Sequence, residues 1–309
     1  MKAFLLVIYC CFAIPVFSQT NYSTQEIEVN SLIKGNLLTP TTGSKTLLIL
    51  IAGSGPTNRN GNQPGVVTNC YKFLGQQLAQ NGIAFFSYDK RIIAQMINKT
   101  VDESSLRFED MVTDAVAVLN YFKKENTYTR IVIAGHSEGS LIGLLAAQQG
   151  VQGFVSLSGP GRPADEVLAE QLAREKPEMY SSIKQCIDAM KLSGKWQCDT
   201  PLKNAALLFR PSVIPYLNSW FQYNPAVEIQ KLKIPVLIIN GDKDLQVAVT
   251  DAELLKKAAP TAQISIIPNM NHVLKITPTE EENRKSYTDG NLPIAPTLSS
   301  IITQFVNQL

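Results

Sequence analysis

Arg130-Ile131-Val132-Ile133-Ala134-Gly135-His136-Ser137-Glu138-Gly139-Ser140-Leu141-Ile142-Gly143-Leu144-Leu145-Ala146-Ala147 is the stretch that decides how this chain folds. A β-branched apolar run ends at Ala134, and a helix-like apolar run begins at Leu141. Between them stands Gly-x-Ser-x-Gly. A serine at so sharp a strand-to-helix turn is held in a strained backbone conformation. The glycines two residues to either side let strand and helix approach closely enough to leave its hydroxyl exposed. The helix that follows points unpaired N–H groups and its positive dipole end at the same spot, where an oxyanion would develop. Ser137 therefore reads as a nucleophile, against the plainer alternative of a glycine-rich turn.

A serine hydroxyl needs a base, and the chain has two histidines. His136 lies inside the turn, next to Ser137, with its side chain directed away from the hydroxyl. That leaves His272, in Pro268-Asn269-Met270-Asn271-His272-Val273-Leu274, a predicted loop directly after the last strand. The base in turn needs a carboxylate to fix its tautomer, and Gly241-Asp242-Lys243-Asp244 follows a predicted strand ending at Asn240. Asp242 and Asp244 compete. Asp244, one step deeper and leading into Leu245-Gln246-Val247, is favoured. An oxyanion also needs two backbone donors. The N–H of Glu138 is one, and the glycine-rich loop Ala52-Gly53-Ser54-Gly55-Pro56-Thr57-Asn58-Arg59 offers the N–H of Ser54 as the other.

Around this centre, apolar runs alternate with helical patterns. Gln25 to Leu38, with a central Gly35, reads as a hairpin. Strands are predicted at Thr46–Ile51, Ile83–Tyr88, Arg130–Ala134, Gly153–Leu157, Pro235–Asn240 and Gln263–Ile267. Helices are predicted at Tyr71–Gln80, Asp110–Leu119, Leu141–Ala147 and Thr297–Leu309. The class is α/β, with a mostly parallel central sheet covered by helices on both faces. The alternation breaks between about Gly161 and Gln230, where charged, helix-like sequence predicts an inserted helical cap. The division is then a signal segment over 1–18, a core over 19–160 and 231–309, and a cap over 161–230. Phe209, Tyr216, Trp220, Phe221 and Tyr223 in the cap read as packing before pocket, although a cap over the strands' carboxyl ends must supply some pocket wall.

The chain has 309 residues, 45% hydrophobic and 17% charged, enough for one large core with an insertion. A net charge of +2 without basic runs carries no footprint for nucleic acid, so the expected partner is a small molecule. Lys2 followed by an apolar stretch to Ile14 reads as a signal peptide, too short to span a bilayer comfortably. With Val16 and Ser18 as the small residues, cleavage falls before Gln19. Export to the periplasm or beyond follows, with no stable membrane insertion afterwards. Cys70, Cys186 and Cys198 then remain. Cys70 reads as buried and free, and whether Cys186 and Cys198 close a small loop stays open. No Cys/His spacing resembles a metal site. Oligomeric state and natural substrate are not legible.

The loop from Ala52 to Asn62, Tyr88-Asp89-Lys90-Arg91, Gly135 to Gly139, Gly241 to Val247 and Asn271-His272 together resemble bacterial α/β-hydrolase esterases with a helical cap, often grouped with serine aminopeptidase-like hydrolases. The resemblance runs nearly end to end through the mature chain. It implies a triad of Ser137, Asp244 and His272, hydrolysis of short acyl esters through an acyl-enzyme, and no cofactor. Two positions depart from the pattern. Asn60 stands where such esterases often have Asp, and Arg91 is followed by Ile92-Ile93-Ala94 where they have a glycine-containing turn. Asp89, Lys90 and Arg91 read equally well as a structural charge cluster beside the sheet.

Rival readings make different demands. A serine exopeptidase would share the triad but need acidic groups to hold a substrate amine, for which Glu166, Glu170, Glu175 and Glu178 are the candidates. An acyltransferase would also use the triad. A binding protein on the same fold would have no need to keep serine, acid and histidine in the correct order.

Overall fold

The run Thr46-Leu47-Leu48-Ile49-Leu50-Ile51 is buried along its whole length. In the computed structural model of the protein, which describes residues 21–198 and 205–309, it lies inside an eight-stranded sheet. The proposed signal segment lies outside the described residues. In chain order the strands are β1 (Tyr22–Asn30), β2 (Ile33–Pro40), β3 (Thr46–Ile51), β4 (Ala84–Tyr88), β5 (Arg130–His136), β6 (Gly153–Leu157), β7 (Val236–Gly241) and β8 (Gln263–Ile267). Their spatial order is β1-β2-β4-β3-β5-β6-β7-β8. Only the β1–β2 and β2–β4 pairs are antiparallel. From β4 to β8 every pair is parallel.

Such a sheet needs both faces covered, because its strands are apolar on both sides. Leu47, Ile49 and Ile51 join one core, with α3 (Phe108–Glu125) and α4 (Glu138–Ala147). Leu48 and Leu50 join the other, with α1 (Cys70–Gln80) and α12 (Leu298–Asn307). Between α1 and α3 lies the short α2 (Arg91–Asn98). The β1–β2 hairpin turns at Ser31 and Leu32, where the Asn30 side chain accepts from the N–H groups of Leu32 and Ile33. Gly35, expected near the turn, instead sits within β2 and pairs with Tyr88 across to β4.

Between β6 and β7 the described chain is helical: α5 (Ala164–Ala173), α6 (Tyr180–Ser193), α7 (Ala205–Leu208), α8 (Ile214–Trp220) and α9 (Pro225–Ile229). Helices α5 and α6 pack on each other, α8 packs on α3, and α9 returns to α4. Lys184 and Lys191 of α6 both pair with the buried Asp165 of α5. Cys186 and Cys198 form a disulfide across a Cα–Cα distance of 5.6 Å, and Cys70 is buried and free. Helix α10 (Val249–Ala258) connects β7 to β8, and α11 (Glu280–Ser286) follows β8. The sequence reading did not anticipate α2, α10 or α11.

Candidate active site

Parallel strands bring their carboxyl ends to one edge, and the order β4-β3-β5 sets three loops side by side there. These are the segment after β4 with Lys90, the loop after β3 with Gly53 and Ser54, and the turn after β5 with Ser137. Ser137 has φ 56° and ψ −126°, left-handed backbone that a non-glycine residue adopts only under constraint. Its N–H bonds to the Leu157 carbonyl at 2.9 Å, tying the turn to the neighbouring β6. A Cβ on Gly135 would collide with the Gly139 carbonyl, and one on Gly139 with the carbonyls of Ile51 and Ala52. Both glycines of the motif are therefore required by backbone approach.

His272 lies in the loop after β8 and is buried to 4% exposure. Its Nδ1 is 2.8 Å from Asp244 Oδ2. The other carboxylate oxygen of Asp244 accepts from the N–H groups of Gln246 (2.8 Å) and Val247 (2.9 Å). Burial works to raise the Asp244 pKa, but the adjoining His272 and these backbone donors outweigh it and hold the carboxyl below its ordinary value. An ionised Asp244 accepts, so Nδ1 of His272 carries the proton and Nε2 is left as the basic nitrogen. Asp242 is turned elsewhere: it is exposed and accepts from the N–H of Asn269.

The loop after β3 sits against the turn, for a Cβ added to Gly53 would come within 3.1 Å of Ser137 Cβ. Among the described residues the N–H groups of Ser54 and Glu138 have no intramolecular acceptor. The groups around them are closely tied. Tyr71 Oη accepts from the N–H of Gly53 at 3.2 Å and lies 2.8 Å from His136 Nδ1. His136 Nε2 is 2.7 Å from the His272 carbonyl. A carbonyl only accepts, so Nε2 of His136 is the protonated nitrogen and Nδ1 accepts from the tyrosine hydroxyl. On the opposite side Lys90 Nζ donates to Gly53 O at 3.0 Å and to Glu138 Oε2 at 2.8 Å. Tyr216 of α8 donates to Glu138 Oε1 at 2.5 Å. The charged triplet after β4 thus divides among three partners, with Asp89 on Arg59, Lys90 on Glu138 and Arg91 on Asp114.

Ser54, Ser137, Glu138 and His272 all line one cavity of about 770 Å³, while Asp244 stands behind His272 outside it. Its far walls come from the helices between β6 and β7, including Val167, Leu168, Leu172, Leu208, Leu217 and Trp220. Of the five aromatics read as mainly packing, Tyr216 and Trp220 line the cavity. Phe209 stacks on Trp196, and Tyr223 lies against Phe108. Sequence reasoning missed the parts played by Tyr71, Lys90 and Tyr216. Lys90 stands in the charged run Tyr88-Asp89-Lys90-Arg91, but no local signal in the sequence pairs it with Glu138.

The family Hydrolase_4, described as serine aminopeptidase S33, matches residues 66–218, a span that contains Ser137 but neither Asp244 nor His272. Esterase EstD of Thermotoga maritima is 26% identical over 273 residues, covering 84% of this chain. The chain spans 63% of EstD's length. Among solved structures, Est1E from Butyrivibrio proteoclasticus aligns with a TM-score of 0.56 at 18% identity, over 92% of this chain and 96% of that one. The Pyrococcus furiosus esterase Pf2001 aligns with a TM-score of 0.56 at 15% identity, over 93% and 91%. Taken with the strand order and the strained serine turn, these similarities show that the chain has the α/β-hydrolase fold, which these esterases share.

Proposed function

We propose that the protein is a serine carboxylesterase that cleaves esters of apolar acyl groups through an acyl-enzyme. The observation that carries this reading is the 2.8 Å bond from His272 to a fully buried Asp244, behind a histidine that shares its cavity with a strained Ser137. His272 Nε2 takes the Ser137 proton as the hydroxyl attacks the ester carbonyl, and Asp244 stabilises the imidazolium that forms. The N–H groups of Ser54 and Glu138 receive the oxyanion. The imidazolium returns its proton to the departing alcohol. Water, deprotonated by the same nitrogen, then releases the acid and frees Ser137.

The cavity supports an uncharged acyl portion. Short acyl groups fit it with room to spare, and its volume extends the reading to longer or bulkier ones. The exopeptidase reading gains no support, because Glu166, Glu170, Glu175 and Glu178 do not line this cavity. Glu170 pairs with Arg162 beside a separate hollow. The carboxylates that do reach the cavity are already engaged, Glu138 by Lys90 and Tyr216, and Glu103 by Arg210 and Ser212. Neither is left to hold a substrate amine.

The test is hydrolysis of a p-nitrophenyl ester series and of aminoacyl p-nitroanilides by the purified protein and by Ser137→Ala. Ester turnover without anilide cleavage is expected, with kcat in Ser137→Ala lower by on the order of 10⁴-fold or more. Preferential anilide cleavage would make the protein a peptidase. We also propose that the chain is exported and cleaved before Gln19, a reading supported by the Cys186–Cys198 disulfide, which suits an oxidising compartment. A mature N-terminus elsewhere than Gln19 would contradict it. Among the described residues no helix is long and apolar enough to cross a membrane.

A further inference from the structure

Lys90 is an ammonium almost without exposed surface, placed by the β4-β3-β5 order where it spans the loop after β3 and the turn after β5. Its two partners belong to the two halves of the proposed oxyanion site. Glu138 supplies one donor N–H, and Gly53 supplies the carbonyl of the peptide whose N–H is that of Ser54. That peptide is trans, as are all peptides among the described residues. In a planar trans peptide the C=O and N–H point in opposite directions, so whatever fixes the carbonyl fixes the N–H. Gly53 has no side chain to hold it, and its own N–H is fixed separately by Tyr71. A cation 3.0 Å from the carbonyl oxygen also draws electron density from the amide, which makes the N–H at its other end a stronger donor.

We propose that Lys90 is a positioning residue that aims and polarises the Gly53–Ser54 peptide as an oxyanion donor, with Glu138 as the counterion that lets the ammonium stay buried. This rests on the reading of Ser137 as nucleophile and of the Ser54 N–H as a donor. Besides its carboxylate partner, the buried ammonium spends a donor on the carbonyl of that particular peptide. Removal of either partner alone would strand the buried charge of the other, so the informative variant removes both charges together.

The experiment compares the unaltered protein with the pair Lys90→Met plus Glu138→Gln. It measures kcat and KM on a p-nitrophenyl ester, and inhibition by a trifluoromethyl ketone that adds the serine to form a tetrahedral oxyanion. The pair is expected to lower kcat by roughly 10- to 100-fold relative to the unaltered protein and to weaken the ketone by a similar factor, with KM changing by less than about threefold. Unchanged kcat and ketone affinity in a folded protein would overturn the proposal. So would a rise in KM alone, which would mark Lys90 as a wall of the binding pocket. Should the methionine pair fail to fold, Lys90→Gln with Glu138→Gln keeps a polar head and must show the same parallel loss. Failure of the underlying reading is separable: ester hydrolysis that survives Ser137→Ala overturns both, whereas serine-dependent hydrolysis indifferent to Lys90 overturns only this proposal.

Discussion

His136 and His272 lie 4.8 Å apart, ring centre to ring centre, and their surroundings give them opposite tasks. His136 has both nitrogens occupied, by Tyr71 and by the His272 carbonyl. Burial, and next the neighbouring His272, push its pKa down to about 3. It therefore stays neutral in the folded protein, whereas the same residue in the unfolded chain binds a proton below about pH 6.5. Stability is then complete above pH 6.5 and is lost as pH falls from there toward 3, at about 1.4 kcal/mol per pH unit. Urea unfolding at pH 7 and pH 5 should show a drop that is smaller by about 2 kcal/mol in His136→Gln than in the unaltered protein. Equal drops would contradict the neutral assignment. At this scale much was legible. Ser137 and His272 follow from the motif and from there being two histidines, and Asp244 was favoured over Asp242 by its depth after the strand. Tyr71, Lys90 and Tyr216 were not legible, because each acts on a partner brought near only by strand order or by helix packing.

The elements explain why the serine turn has so little freedom. Helix α4 enters so close to β3 that a side chain at Gly139 would meet the Ile51 and Ala52 carbonyls, and backbone has no alternative rotamer to adopt. Gly139→Ala is expected to cost about 1–3 kcal/mol and to reduce ester turnover, because relief of the clash must shift the turn. Thermal unfolding and kcat check this, and unaltered values in both would contradict the close approach. The strands with long apolar runs were readable nearly to the residue, since burial on both faces makes each one a continuous apolar run with sharp polar ends. Helix α11 was not readable, and the reason is physical: Glu280-Glu281-Glu282-Asn283-Arg284-Lys285-Ser286 has no apolar period. It is held by a capping box between Thr279 and Glu282 and by the pairs Glu280–Arg284 and Glu281–Lys285. Its inner face is polar as well. Asn283 and Ser286 accept from the side chain of Asn271, and so help to fix the loop that carries His272. The Thr-x-x-Glu spacing was the available sign of this helix.

Across the whole molecule the parallel sheet gathers loops from distant parts of the chain at one edge, and the helices between β6 and β7 complete a cavity over them. Strand alternation and the interruption after Gly161 were readable in the sequence. The spatial order of the strands was not, because it depends on crossovers that leave no local mark. That order sets Ser137 and His272 in one cavity and underlies the central proposal, that this serine, with this histidine as base, performs acyl transfer there. The most direct test is to label the protein with a fluorophosphonate, then locate the adduct by peptide mass spectrometry while following loss of ester hydrolysis. One equivalent on Ser137, with activity falling in proportion and no adduct in Ser137→Ala, is the result this account predicts. Label on another residue, or hydrolysis that persists once Ser137 is fully modified, would contradict it.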